Sequence, residues 1–136
     1  MNKNPQMIFV NLPVANLPQS KAFYEAVGFT TNSQFSDDTS ACMVLSESIM
    51  VMLLTHAKWM RFTSKTIPDA KTNAQVLLCI SRESREAVDT IVEAAVRQGG
   101  TADPTPIQNL GFMYGRSFED PDGHIWESVW MNPAGM

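Results

Sequence analysis

The residue with the clearest capacity for chemistry is Glu127, in the stretch Asp120-Pro121-Asp122-Gly123-His124-Ile125-Trp126-Glu127-Ser128-Val129-Trp130. Asp-Pro-Asp-Gly is tight-turn sequence: proline presets φ, aspartate suits the first position and glycine the fourth. The aromatic and β-branched residues after it read as a strand entered from a hairpin. On that strand Glu127 lies opposite Trp126 and in step with Ile125 and Val129. A carboxylate between apolar neighbours is costly unless something pairs with it. In a pocket it can act as a general base or hold a metal, whereas at a sheet edge it is simply solvated. Arg116 follows Tyr114-Gly115 on the strand expected to hairpin with this one. It is therefore placed to pair with Glu127 or to hold an anionic ligand group, a structural salt bridge being the plainer alternative.

These residues need elements to position them. Met7 to Val14 alternates as a strand, with Ile8, Val10, Leu12 and Val14 on one face and Phe9 and Asn11 on the other. Asn16-Leu17-Pro18-Gln19 is a helix start, with Asn16 as N-cap and Gly28 as the stop. Phe29 to Phe35 is the next expected strand, Ser36 to Thr39 a turn, and Ala41–Leu45 with Ile49–Leu54 an antiparallel pair. Residues 55–74 form a linker whose first part can be helical and can cover a cavity. Gln75 to Ser81 reads as a strand, and Ser81 or Ser84 caps a helix that ends at Gly99-Gly100. Val88, Ile91, Val92, Ala95 and Val96 mark its apolar face. Thr101 to Ile107 is a proline-broken edge strand, and Phe112–Phe118 and His124–Trp130 form the last hairpin. The order β-α-β-β-β thus occurs twice, in modules of about 7–54 and 75–131, which predicts one α+β domain.

Bulk properties exclude several functions. The chain has 136 residues and a net charge of −4, which gives no basic footprint for nucleic acid. Its longest apolar run, Ile49 to Leu54, is far too short for a membrane span. The N-terminus has no apolar signal region. Cys42 and Cys79 lack metal or redox spacing and read as reduced core residues of a cytoplasmic protein. No phosphate loop, nucleophile elbow or paired zinc spacing occurs. His56 begins the linker and His124 belongs to the turn, so both read as surface residues.

The repeat carries further landmarks: Val14-x-Asn16-Leu17-x-x-Ser20-x-Ala22-Phe23-Tyr24-x-x-x-Gly28-Phe29, and Phe118-x-Asp120-Pro121-Asp122-Gly123-His124-x-x-Glu127. With them the chain resembles the vicinal-oxygen-chelate superfamily of glyoxalases, bleomycin-resistance proteins and extradiol dioxygenases. The resemblance implies two tandem βαβββ modules curled into a half-barrel sheet, with helices outside and a cavity on the concave face. It also implies a homodimer, the commonest closed symmetry. Asn16, Gly28 and Asp120 to Gly123 have sufficient work as caps and turns, so function must come from the site.

Metal-using members place ligands on the first and last strands of each module. Those positions fall here at Phe9, Met52, near Leu77, and at Glu127. Only Glu127 can bind a hard or borderline divalent ion, since a thioether prefers soft metals. No cofactor is expected on that pattern. The concave face expected from the resemblance holds Phe9, Asn11, Met50, Met52, Leu54, Leu77, Cys79 and Glu127, with Tyr114 or Arg116 added by the last hairpin. This is a methionine-lined, mostly apolar composition typical of small-molecule sites. Two functions follow. One is metal-free binding of a small aromatic or apolar molecule, as in bleomycin-resistance proteins. The other is a glyoxalase-like lyase, isomerase or dioxygenase with a rearranged site, using Glu127 as base or metal ligand. A scaffold with a vestigial cavity is a third reading, opposed by the retention of Glu127.

Overall fold

The computed structural model describes residues 6–135. Within them the chain forms two compact units, divided between Ile67 and Pro68. In the first unit, β1 (Ile8–Val14), β2 (Thr30–Asn32), β3 (Ser40–Val44) and β4 (Ile49–Thr55) form a sheet in the order β1-β4-β3-β2. β1 and β4 are parallel and the remaining pairs antiparallel. The long connection that a parallel pair requires includes α1 (Leu17–Ala26).

That helix starts where its cap dictates. The Asn16 side chain accepts the Gln19 N–H at 3.0 Å, and the chain leaves the helix through Gly28 at φ 108°. Phe23 and Tyr24 are fully buried. The Tyr24 ring meets those of Phe23 and Phe29 edge-on, with centroids 5.2 Å apart, contacts worth about 0.5–1.5 kcal/mol each beyond area burial. Leu12, Val14, Met43, Val51 and Leu53 complete this core. All share the sheet face that the alternation of Leu12 and Val14 predicts, so Phe9, Met50 and Met52 are left on the other.

β2 is shorter than the sequence suggests. It stops at Asn32, and Ser33–Phe35 form a 3-10 turn. The Asn32 side chain accepts the Gln34 N–H at 3.1 Å and its carbonyl accepts the Ser36 hydroxyl at 2.6 Å. Such local bonds compete with a sheet ladder. After β4, the helical turn α2 (His56–Trp59) is capped by Thr55, as the start of the linker suggests.

The second unit repeats the pattern. β5 (Leu78–Ser81), β6 (Thr101–Ala102), β7 (Gln108–Asn109), β8 (Met113–Glu119) and β9 (Ile125–Met131) form a sheet ordered β5-β9-β8-β6, with β7 also pairing with β8. β5 and β9 are parallel, as β1 and β4 are. Ser84, rather than Ser81, caps α3 (Arg85–Arg97), accepting the Ala87 N–H at 3.0 Å. Val88, Ile91, Val92 and Ala95 are buried as predicted, while Val96 is 48% exposed.

Two strand expectations need correction. The strand expected over 101–107 is reduced to β6 at its start, and the short β7 lies just beyond its end. Pro104 and Pro106 cannot donate to a ladder, and Asp103 turns the chain at φ 55°. The strand expected from Gln75 begins only at Leu78, whose register partner is Trp126 near the start of β9.

The turn before β9 is built on Asp120, whose Oδ1 accepts the N–H groups of Asp122, Gly123 and His124 at 3.0, 2.9 and 2.9 Å. Gly123, at φ 104°, has no room for a side chain: a Cβ there would lie 2.7 Å from the Ala70 carbonyl oxygen. Gly28 has a similar φ of 108° and nothing within 4 Å. Gly28→Ala should therefore cost only backbone strain, about 1–3 kcal/mol. Gly123→Ala should cost about 1–3 kcal/mol more from overpacking. Urea denaturation midpoints compare the two; equal losses would show that the approach to Ala70 relaxes without cost.

Candidate functional site

In the first unit, the sheet face away from α1 is a small lattice fixed by strand register. Asn32 on β2 lies beside Cys42 on β3, Cys42 beside Met52 on β4, and Met52 beside Asn11 on β1. The adjacent row holds Val44, Met50 and Phe9. A pocket of about 320 Å³ opens on this face, with Met7 and Phe35 joining Phe9 at its walls. Met50 and Cys42 are buried, whereas Phe9, Met7 and Phe35 are 50%, 51% and 64% exposed. The buried pair forms the floor and the exposed three form the rim. Among the described residues no charged side chain lines the pocket. Burial pushes the Cys42 thiol above its usual range. Asn11 is exposed, and its amide donates to the Phe9 carbonyl at 3.2 Å. Leu54, farther along β4, is buried between Pro13 and Ser40.

The second unit gives a smaller pocket of about 160 Å³, and here Glu127 and Cys79 stand side by side as register partners. Thr105, Gln108, Met113 and Val129 surround them. The Cys79 thiol is raised, first by desolvation and then by the Glu127 charge. A thiol so placed stays protonated at neutral pH and is a poor nucleophile. Cys79 is exposed, which corrects the expectation of a core cysteine. Leu77, expected on this face, lies before β5 and is 51% exposed. Cys79 occupies the place beside Glu127 instead.

Tyr114 and Arg116 face the other way. Both alternate with Gly115, so when Gly115 and Glu127 share the pocket face, they turn toward α3. Tyr114 donates its hydroxyl to Asp89 Oδ1 at 2.7 Å. Arg116 Nη1 donates to the same oxygen at 2.9 Å, and its Nε and Nη2 grip both oxygens of Asp103 at 3.1 and 2.7 Å. The expected Arg116–Glu127 pair is thus replaced by a bidentate bridge to Asp103 and a second bridge to Asp89. Arg116 edges the second pocket, but its guanidinium is committed to these carboxylates. The Tyr114 hydrogen bond, with help from Arg116, holds the Asp89 carboxyl below its usual range. Arg85 adds a clamp: its guanidinium lies 5.2 Å from the Tyr114 ring centroid and 5.1 Å from that of Trp130.

The donor set fits a divalent ion poorly. Among the described residues no three His, Cys, Asp or Glu side chains stand together as ligands would. Within the first unit the corresponding strands offer Phe9, Asn11, Met50 and Met52. Within the second, Glu127 stands beside a protonated thiol. Hard ions select oxygen ligands in greater number. His56 is exposed on α2, and His124 sits in the turn below Asp120.

Phe9, Met50 and Met52 line one pocket, joined there by Asn32, Met7 and Phe35, which the sequence does not single out. Asn32 was hidden because the segment around it reads as a longer strand, although an Asn followed by Ser is also a turn signal.

Two sheets of the same strand order, each with a helix on one face and a pocket on the other, define a fold of two tandem modules. The chain belongs to the Glyoxalase/Bleomycin resistance protein/Dioxygenase superfamily, whose model matches residues 6–128. Solved structures agree on the fold. A hypothetical protein from S. aureus is 23% identical, with a TM-score of 0.78 over 93% of this chain and 95% of its own. A glyoxalase/bleomycin resistance protein/dioxygenase family enzyme from Burkholderia phytofirmans is 19% identical, with a TM-score of 0.75 over 93% and 99%. A glyoxalase-related enzyme from Fulvimarina pelagi is 19% identical, with a TM-score of 0.76 over 93% and 88%. No curated protein matches the chain. No helix among the described residues is long and apolar enough to cross a membrane.

Two measurements check this electrostatic reading. Because the folded Asp89 carboxyl is depressed, its stabilisation is present above the ordinary carboxylate range and is lost as pH falls through the folded value. Asp89→Asn should be less stable than the wild type at pH 6, and the gap should narrow steadily below about pH 4. A gap independent of pH would contradict the assignment. For Cys79, the rate of iodoacetamide alkylation should rise with a midpoint above the ordinary thiol value. Glu127→Gln should move that midpoint down without restoring it fully, since desolvation is the larger cause. An unchanged midpoint would remove Glu127 from the account.

Proposed function

We propose that this protein binds a small aromatic or apolar molecule in the methionine-lined pocket of its first unit, without a metal. The observation that carries this reading is the make-up of that pocket. Met50, Met52, Val44 and Phe9 supply an apolar lining, and a cavity of about 320 Å³ lies within the ~300–1,000 Å³ usual for small-molecule sites. Methionines on the walls adapt to irregular shapes and make favourable sulfur–aromatic contacts. The poor donor set for a divalent ion supports the metal-free part, and a protonated Cys79 beside Glu127 gives the second pocket no activated nucleophile.

The neutral fluorophore N-phenyl-1-naphthylamine tests this directly. Its emission should rise on saturable, one-site binding that neither EDTA nor added nickel, zinc or manganese alters. Met52→Lys places an ammonium group among apolar walls, a desolvation cost that should weaken binding at least about tenfold, or ~1.4 kcal/mol. Non-saturable binding, or binding indifferent to Met52→Lys, would sink the proposal. A stoichiometric metal site lost on Glu127→Ala would return the protein to the metal-dependent enzymes.

A further inference from the structure

Among the described residues that line the first pocket, Asn32 is the one polar side chain other than the Cys42 thiol. Its orientation is not free. Oδ1 accepts the Gln34 N–H at 3.1 Å, which starts the 3-10 turn Ser33–Phe35. The backbone beneath it is also held. The Asn32 carbonyl accepts the Ser36 hydroxyl at 2.6 Å, and that hydroxyl oxygen in turn accepts the Cys42 N–H at 2.9 Å. With the amide oxygen so used, the flipped arrangement would set an NH2 against an N–H donor and is excluded. Nδ2 is therefore the end left over, and it has no hydrogen-bond partner among the described residues.

The second polar group agrees in sign. Cys42 stands next to Asn32 in register, and burial keeps its thiol protonated, so it too offers a hydrogen rather than a charge. Among the described residues no carboxylate, ammonium or guanidinium lines this pocket. An ionic ligand would lose its hydration without compensation. A ligand bearing only donors would meet donors.

Resting on the binding function proposed above, we infer that the ligand joins an aromatic or apolar body to one neutral hydrogen-bond acceptor, a carbonyl or ether oxygen, and that Asn32 Nδ2 is the group that reads it. The apolar body lies against Met50, Met52 and Phe9, and the acceptor points to the β2 edge. Asn32 determines specificity here rather than bulk affinity, since the walls supply most of the burial.

The test uses 2-acetylnaphthalene and 2-ethylnaphthalene, which share a body and differ in the carbonyl oxygen. Calorimetry on the full chain should show the acetyl compound bound about three- to tenfold more tightly, the worth of one neutral hydrogen bond. Asn32→Asp keeps an oxygen for the Gln34 N–H, aspartate being as good a cap, but replaces the donor with a carboxylate oxygen. It should abolish or reverse the preference and leave the thermal midpoint nearly unchanged. Asn32→Ala should remove the preference without reversing it. If the wild type binds both compounds equally, or Asn32→Asp keeps the preference, the inference about Asn32 is overturned while the apolar pocket stands. If neither compound binds, the pocket reading fails and the inference falls with it.

Discussion

The parallel pairing of the first and last strands in each unit, Ile8–Val14 with Ile49–Thr55 and Leu78–Ser81 with Ile125–Met131, is the constraint on which the rest depends. Parallel neighbours sit side by side in fixed register, so one register assigns every side chain on both strands to a face. A helix then takes one face: Phe23 and Tyr24 in the first unit, and Val88, Ile91, Val92 and Ala95 in the second, are buried against it. What remains on the other face is decided by parity. Met52 and Asn11, or Glu127 and Cys79, become neighbours without any interaction of their own to bring them together. A slip of one residue would exchange the pocket walls for the core.

The parts of the fold set by short-range chemistry could be read in the sequence. The Asn16 cap, the Gly28 stop and the Asp120 turn involve residues within a few positions of one another, and the face assignment of β1 needs only alternation. The parts that failed depend on distant partners. Arg116 was matched with Glu127 because their strands hairpin, but its carboxylates come from Asp103 and from Asp89 on α3, 13 and 27 residues away in sequence. Parity argued against the match, since Arg116 pairs with Ser128 while Glu127 pairs with Ser117. Leu77 was placed in a strand whose extent is fixed by where β9 begins, a fact absent from residues 75–81 themselves. Asn32 failed for another reason: its side chain ends the strand that propensity would continue.

The Arg116 cluster shows how a cation on the second sheet is neutralised. A guanidinium on a central strand must be either solvated or fully paired. Here Asp103 takes two of its donors and Asp89 a third, with Tyr114 sharing the Asp89 oxygen. Asp103 reaches it from the segment that leaves β6 at positive φ. The same segment carries Thr105 back to Ser117 on the pocket side, with its N–H 3.0 Å from the Ser117 hydroxyl oxygen. One irregular connection thus satisfies a cation on the helix side and a buried serine on the other.

The duplicated architecture makes the chemical contrast between the two faces informative. Strand order, helix position and parallel pairing are the same, so differences at matching places come from side-chain type and not from geometry. In the first unit those places hold soft, neutral groups, and in the second a carboxylate and a thiol beside threonine and glutamine. A carboxylate competes for water, which weakens the hold of such a face on an apolar guest. A neutral face gives up no ionic hydration when a guest arrives, so burial of apolar area is won almost undiminished. Its cost is poor discrimination, because methionine walls accommodate many shapes. Selectivity on such a face has to come from its few directional groups, and a fixed amide does this better than a rotatable hydroxyl, since only one of its ends is free to answer a ligand.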